Sequence, residues 1–372
     1  KSDDSVSYAL NAVKGETITI SKLRGFESPL DMTLFYSRMD METLDAMFSA
    51  ITDYLPTFRK FFIKKAQLLG HKSALPFYDL FAPVGTLDMN FTYEEASKFV
   101  IDNFTDFSEA LGNFAKEAFE NSWIDVEPRK GKRGGAFCHN LHYIGESRIL
   151  TNFTGSFSDV LTIAHELGHA YHGDCLKQQT YLNSSYTMPI AETASTLCET
   201  IIAKAALKTA SKEEALVILE NDLTGMMQVI VDIYSRFLFE DGLFTKRKQG
   251  SLSVDELNEL MIDSHKKAYG ESLDPNYLHP YMWYCKPHYY YADSNYYNFP
   301  YAYGLLFSKG LYSIYLEKGQ EFIEIYDNLL SETGKNNLRD VAKIVGIETR
   351  DKSFWAKSLQ TIAEDIEEFL KL

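Results

Sequence analysis

The sequence has 372 residues, 45% of them hydrophobic, and is long enough to fold around a large buried core. It carries 37 Lys and Arg against 52 Asp and Glu, a formal net charge of −15. Nucleic acids and anionic membranes bind clustered basic side chains, so this charge argues against both as partners. No stretch approaches the roughly 18 uncharged apolar residues of a membrane span, and the polar first residues do not resemble a signal peptide. The four scattered cysteines predict reduced thiols and a cytoplasmic location.

Apolar residues recur at helical spacing along most of the chain, which predicts a mainly α-helical fold. The first such pattern covers residues 44–58 and follows a helix start signal at 40–42. Further helices are predicted over residues 93–110, 111–123, 213–239, 254–268, 301–317 and 354–370. Between them, residues 136–153 combine glycines with short β-forming runs, which predicts a small sheet. Loops are predicted at 126–135, 178–188 and 270–291.

Residues 162–172 read TIAHELGHAYH, a pattern typical of a zinc-binding helix. The four-residue spacing puts His165 and His169 on one helix face, where both imidazoles can bind the same ion. Glu166 lies about a hundred degrees around the helix and can reach a water molecule at the metal. Residues 156–159 form a capping-box pattern, and the helix is otherwise nearly apolar, so its polar side chains need partners. A chance HExxH on a surface helix is therefore disfavoured.

A catalytic zinc ion needs a third protein ligand, because it normally has three and keeps one position open for water. Residues 189–200 predict a second apolar helix, with Glu192 near its first turn and Glu199 two turns later on the same face. Glu192 is the candidate ligand, and Glu199 can accept a ring N–H from a ligating histidine. The alternative for Glu192 is an acid that interacts with the helix dipole. The metzincin pattern is absent, because His172 stands where Gly is required and Cys175 where His is required.

The Tyr-rich segment 288–304 is the other candidate for chemistry. Attack on a peptide carbonyl creates an oxyanion, and neutral hydrogen-bond donors aimed at it stabilise the transition state. His288, with Tyr297 or Tyr301, can supply such donors. Packing of the tyrosine rings in the core is the alternative interpretation.

Together these motifs resemble the oligoendopeptidase F branch of the M3, thimet oligopeptidase-like, metallopeptidases. The similarity extends over nearly the whole chain. It is carried by GKRGGAF at 131–137, ILTNFTGSFSDVLTIAHELGHAYH at 149–172, AETASTLCE at 191–199 and KPHYYYADSNYYNFPYAYG at 286–304.

The resemblance implies a role for each candidate residue. His165, His169 and Glu192 would hold one zinc ion per chain, and Glu166 would be the general base. The remaining implied roles are catalytic contacts from His288 and Tyr301, substrate contacts from Tyr297 and Asn152, and support of the metal ligands by Glu199 and His172.

The resemblance also implies a fold, a neurolysin-like zincin that is mainly α, with a small β-sheet beside the HExxH helix and a deep substrate cleft. We expect residues 1–372 to form a single catalytic region, with a helical part at 1–125, the sheet and zinc-binding helices at 126–205, and a helical part with the His/Tyr segment at 206–372. Members of the family carry a further N-terminal helical region, which we expect this chain to lack. The expected function is zinc-dependent endopeptidase cleavage of short oligopeptides, in which Glu166 activates the zinc-bound water.

Two other functions fit part of the pattern. A carboxypeptidase of the thermostable bacterial or angiotensin-converting type also combines HExxH with a downstream Glu, and peptides blocked at both ends separate it from an endopeptidase. A peptide-binding scaffold with a structural metal fits less well, because a structural site does not need Glu166 and normally closes its fourth position.

Overall fold

The computed structural model describes residues 2–85 and 89–372, and it is mainly helical, as the sequence predicts. Within those ranges the helices are, in chain order, α1 (Asp3–Leu23), α2 (Pro29–Tyr36), α3 (Met41–Leu68), α4 (Tyr93–Phe107), α5 (Glu109–Glu120), α6 (Phe157–Cys175), α7 (Met188–Leu207), α8 (Lys212–Met227), α9 (Ile233–Arg247), α10 (Val254–Tyr269), α11 (Phe299–Lys318), α12 (Glu321–Glu332), α13 (Leu338–Lys343) and α14 (Lys352–Lys371). The predicted helix at 213–239 is interrupted, because a π-helical turn at Gln228–Asp232 separates α8 from α9.

The predicted small sheet is present. Strands β2 (Phe137–Leu141) and β3 (Glu146–Leu150) form an antiparallel hairpin inside the predicted range 136–153. A third strand, β1 (Ile124–Asp125), pairs in parallel with β3 and gives the order β1-β3-β2. The sequence does not predict β1, since a two-residue strand is too short to show alternation.

Helices α1, α2, α12 and α13 were not predicted from the apolar pattern. In α1 the reason is the composition of its buried face, which is largely polar and includes Ser7, Asn11, Lys14, Thr17 and Ser21. A helix is predicted from apolar residues at helical spacing, and a helix that buries polar side chains lacks that spacing.

The described chain forms two compact units, each made of several segments. The first contains Lys1–Val84, Glu220–Ala302 and Arg350–Leu372, and the second contains Gly85–Leu219 and Tyr303–Thr349. In the first unit α3 packs against α14, and α9 packs against α1 and α10. In the second unit α6 packs against α7 and against the β2–β3 hairpin. The three-part organisation expected from the sequence, divided at 126 and 206, stays a prediction.

Among the described helices, none combines the length and apolar character that crossing a membrane requires.

Candidate active site

The HExxH helix α6 begins with the predicted capping box. The Ser156 hydroxyl accepts a hydrogen bond of 3.2 Å from the backbone N–H of Asp159, whose carboxylate accepts one of 3.1 Å from the backbone N–H of Ser156. These bonds satisfy donors that a helix start leaves unpaired. The helix therefore begins at Phe157, and His165 and His169 lie in its interior.

Two glycines allow helices of the second unit to approach closely. A Cβ atom on Gly168 in α6 would lie 2.6 Å from Cα of Ser195 and 2.7 Å from the carbonyl oxygen of Ala194, both in α7. A Cβ atom on Gly304 in α11 would lie 2.9 Å from Cβ of Glu192. Because these contacts are too short for any side chain, glycine is required for α6 and α11 to pack against α7 as they do. The close approach of α6 brings Glu192 to the two histidines.

His165, His169 and Glu192 present one atom each to a common point. The Nε2 atoms of the two histidines are 3.1 Å apart, and Oε2 of Glu192 lies 3.4 Å from His165 Nε2 and 3.5 Å from His169 Nε2. Ligands at 2.0–2.1 Å from a tetrahedral zinc ion are about 3.3 Å from each other. The two nitrogens and one carboxylate oxygen therefore fit a zinc ion in both donor chemistry and spacing.

Neighbouring groups orient two of these side chains. His165 donates from Nδ1 to Oε1 of Glu199, which leaves Nε2 as its metal-facing nitrogen. The Ser195 hydroxyl donates a hydrogen bond of 3.0 Å to Oε2 of Glu192. Burial lowers the pKa of His169 to about 3 and keeps its ring neutral, as a metal ligand must be. Glu199 is one of the residues predicted from the sequence, and Ser195 is not, although Ser195 follows Glu192 by three residues in the same helix.

Glu166 has a buried carboxylate beside this group. The residue is 5% exposed, and no described residue hydrogen-bonds its Oε2 atom. Burial raises the pKa of Glu166 to about 7 against the opposing effect of His165, and the negative charges of Glu192 and Glu199 add to the rise. An unpartnered buried oxygen is uncommon and fits a position that receives a water molecule or a substrate group. With its pKa near neutrality, Glu166 can both take up and release a proton.

His172 is fully buried one turn beyond His169. Its Nε2 atom lies 2.8 Å from the Thr333 hydroxyl, and its ring stacks on Tyr186 with centroids 3.9 Å apart. These contacts anchor α6 to two other segments of the same unit. Support of the metal ligands by His172 stays a prediction.

Asn152 holds the glycine-containing loop between β1 and β2. Its side-chain amide donates hydrogen bonds of 3.0 Å to the carbonyl of Arg133 and 2.8 Å to that of Gly135. The predicted contact of Asn152 with substrate is not tested by these bonds and stays a prediction.

His288, Tyr297 and Tyr301 form a second group, in the first unit. The rings of His288 and Tyr297 stack with centroids 5.5 Å apart, and the hydroxyls of Tyr297 and Tyr301 are 3.2 Å apart. No described residue hydrogen-bonds the buried Nε2 atom of His288. Burial, followed by the charge of Arg236, lowers the pKa of His288 to about 4, so the imidazole is neutral near pH 7. The structure thus assembles each predicted group within one unit, the metal ligands with Glu166 and the histidine with its tyrosines.

Known proteins resemble the chain over most of its length. A family model described as Peptidase family M3 matches residues 3–361. Group B oligopeptidase PepB of Streptococcus agalactiae is 26% identical over 355 residues, which cover 95% of this chain and 58% of that protein. The chromosomal oligoendopeptidase F of Lactococcus lactis subsp. cremoris is 30% identical over 287 residues, which cover 76% of this chain and 47% of that protein. The chain therefore spans about half the length of these relatives.

The fold is also found in a solved structure. The crystal structure of oligoendopeptidase-F from Enterococcus faecium aligns with a TM-score of 0.71 at 19% identity, over 100% of this chain and 60% of that one. At this level of identity the likeness shows the fold.

Proposed function

The chain belongs to peptidase family M3, and from that premise we propose that it is a zinc-dependent endopeptidase that cleaves short oligopeptides. The observation that carries the proposal is the convergence of His165, His169 and Glu192 beside the buried carboxylate of Glu166. The names of the relatives, oligopeptidase and oligoendopeptidase F, support a peptide substrate.

In this proposal His165, His169 and Glu192 hold one zinc ion per chain through two imidazole nitrogens and one carboxylate oxygen. When bound, zinc polarises a carbonyl group and lowers the pKa of a water molecule. The side chains of Glu199 and Ser195 keep two of the ligands in position, since each hydrogen-bonds a ligand directly.

Glu166 acts as the general base and then as the general acid. Its Oε2 atom takes a proton from the attacking water as the oxygen–carbon bond forms. It then delivers that proton to the leaving amine nitrogen as the carbon–nitrogen bond breaks. The Glu166 carboxylate is buried, and no described residue hydrogen-bonds its Oε2 atom, so that atom is available to the water molecule and to the leaving amine.

His288 and Tyr301, with Tyr297 as a second tyrosine, donate hydrogen bonds to the substrate or to the oxyanion that develops on the carbonyl. The lowered pKa of His288 supports this role, since a neutral imidazole keeps one N–H to donate. Its Nε2 atom, which no described residue hydrogen-bonds, is then available to a substrate group.

The decisive experiment is Glu166→Gln, which keeps the size of the side chain and removes the base. We expect turnover of an internally quenched peptide to fall by about 10²–10⁴-fold at unchanged zinc content. Glu117→Gln, an exposed residue of α5, is the matched control and is expected to leave turnover unchanged. Undiminished cleavage by Glu166→Gln at equal zinc content would contradict the proposed base.

The position of cleavage is tested with peptides of about eight residues acetylated at the N-terminus and amidated at the C-terminus. An endopeptidase cleaves them at an internal bond, and mass spectrometry identifies both fragments. If only peptides with a free C-terminal carboxylate are cleaved, and one residue at a time, the chain is a carboxypeptidase.

A further inference from the structure

The residue before Tyr297 has an unusual backbone conformation. Tyr296 has φ of 51°, in the left-handed region that glycine favours and that a bulky residue rarely adopts. Its side chain is buried, and its hydroxyl donates a hydrogen bond of 3.1 Å to Asp241. A conformation of this kind persists where surrounding contacts hold it, and such residues cluster at functional sites.

A buried ion pair provides such a contact. The Glu240 carboxylate accepts a hydrogen bond of 2.8 Å at Oε2 from the backbone N–H of Tyr296. Its other oxygen, Oε1, lies 2.6 Å from Nζ of Lys14, and the two charged side chains are 3% and 0% exposed. Lys14 reaches this position from the polar face of α1. A buried charge is stable only when paired and hydrogen-bonded, so each of the two groups fixes the other.

The residue before Tyr296 is held as well. The Lys14 ammonium donates a second hydrogen bond of 2.9 Å to Oδ1 of Asn295, whose amide donates one of 2.7 Å to the carbonyl of Ala292. The Thr33 hydroxyl donates one of 3.2 Å to the carbonyl of Asn295. Two consecutive residues, Asn295 and Tyr296, are therefore fixed by side chains from α1, α2 and α9.

We propose that Glu240, oriented by Lys14, is a positioning residue that holds Tyr296 in its left-handed conformation and thereby stacks Tyr297 on His288. Tyr297 follows Tyr296 directly, so the backbone conformation of Tyr296 determines the direction in which the Tyr297 side chain points. The Tyr297 hydroxyl lies 3.2 Å from that of Tyr301. The inference rests on the proposed role of His288 and the tyrosines in catalysis. Glu240 and Lys14 touch no reacting atom and act through the backbone of Tyr296.

Two double variants separate positioning from the burial of charge. Lys14→Met/Glu240→Gln removes both charges but keeps a carbonyl oxygen that accepts from the N–H of Tyr296. Lys14→Met/Glu240→Met also removes both charges and leaves that N–H without its acceptor. Because neither variant leaves one buried charge unpaired, the severe destabilisation of a single substitution is avoided in both.

The first measurement is amide hydrogen exchange of the peptide that covers residues 288–301, without substrate. We expect exchange to be about ten-fold faster in the Glu240→Met double variant and within about three-fold of the parent in the Glu240→Gln double variant. The second measurement is peptide turnover, where kcat should fall about ten-fold in the former variant with KM within about three-fold of the parent value. Thr33→Val removes the hydrogen bond to the Asn295 carbonyl. It should also speed exchange and lower kcat, each by a smaller factor.

Equal hydrogen-exchange rates and equal kcat values in the two double variants would overturn the proposal. The side-chain oxygen at position 240 that accepts from the Tyr296 N–H would then have no effect of its own. A parallel His288→Ala variant keeps the two inferences apart. If that variant turns over peptide at the parent rate, the catalytic role of His288 fails, while hydrogen exchange still decides whether Glu240 holds the turn.

Discussion

The Ser195 hydroxyl donates to Oε2 of Glu192, the carboxylate oxygen that faces both His165 and His169. Ser195 is fully buried in α7, and its hydroxyl also lies 3.1 Å from the Glu192 carbonyl. A carboxylate hydrogen-bonded in this way has fewer rotamers available, so it is already oriented for a metal ion before one binds.

Ser195→Ala should therefore weaken zinc binding by about ten-fold, because mutation of a group that orients a ligand typically has an effect of this size or larger. Affinity is measured by competition with a chelator of known zinc affinity. Ser313→Ala is the matched control, since Ser313 is also a buried helical serine of the second unit and donates to the carbonyl of Lys309. Equal affinity of the Ser195→Ala and parent proteins would contradict the role of this hydrogen bond.

Zinc should stabilise the folded chain. A ligand that binds only the folded state at about 100 times its Kd adds about 2.7 kcal/mol to the free energy of unfolding. We expect the thermal midpoint of the parent to rise with free zinc and that of His169→Ala to respond much less. His139→Ala, an exposed histidine of β2, is the control. A similar response in all three proteins would show that the stabilising zinc binds elsewhere.

Much of the candidate metal site was predictable because it depends on local helix geometry. The four-residue spacing of His165 and His169 fixes their common face, and the capping box at 156–159 fixes the start of α6. Glu192 was different, because its approach to the histidines depends on how α7 packs against α6. The sequence alone left it as one of two interpretations until the family resemblance was considered.

The polar interior of the first unit could not be predicted from the sequence. Lys14 and Glu240 are 226 residues apart, and nothing local indicates that they pair. Helix α1 was not predicted for the same reason, since its buried face carries polar groups whose partners come from distant segments. Apolar periodicity identifies hydrophobic cores, and long-range polar pairing leaves no such periodicity.

Gly168→Ala should destabilise the second unit, because the added methyl group would meet the backbone of α7 at 2.6–2.8 Å. Overpacking of this kind typically lowers the free energy of unfolding by about 1–3 kcal/mol. The test is urea unfolding with zinc present. Gly225→Ala in α8 is the matched control, since a Cβ atom there meets no atom within 4 Å. That substitution should raise the free energy of unfolding by up to about 1 kcal/mol through helix propensity. A Gly168→Ala variant as stable as the parent would show that α6 and α7 can separate at little cost.

His265 predicts a pH dependence of stability in the first unit. The residue is fully buried, its ring stacks on Phe77, and its Nε2 atom contacts the Met282 sulfur at 3.3 Å. Burial, followed by the charges of His279 and Arg236, lowers the pKa of His265 to about 4. The folded state therefore disfavours the protonated ring, whereas the unfolded chain protonates near the ordinary pKa of about 6.5.

Above about pH 6.5, the pKa of His265 in the unfolded chain, the ring is neutral in both states and does not lower the free energy of unfolding. As the pH falls from about 6.5 towards 4, the free energy of unfolding decreases, because the unfolded state binds a proton that the folded state does not. Between pH 7 and 4.5 this loss amounts to about 2 kcal/mol. His265→Phe keeps an aromatic ring against Phe77 and removes the titrating group. Between pH 7 and 4.5 its free energy of unfolding should therefore fall by about 2 kcal/mol less than that of the parent. Urea unfolding of parent, His265→Phe and the exposed control His139→Phe at both pH values measures the difference. Identical pH dependence in the three proteins would mean that the ring of His265 accepts a proton in the folded chain as readily as in the unfolded one.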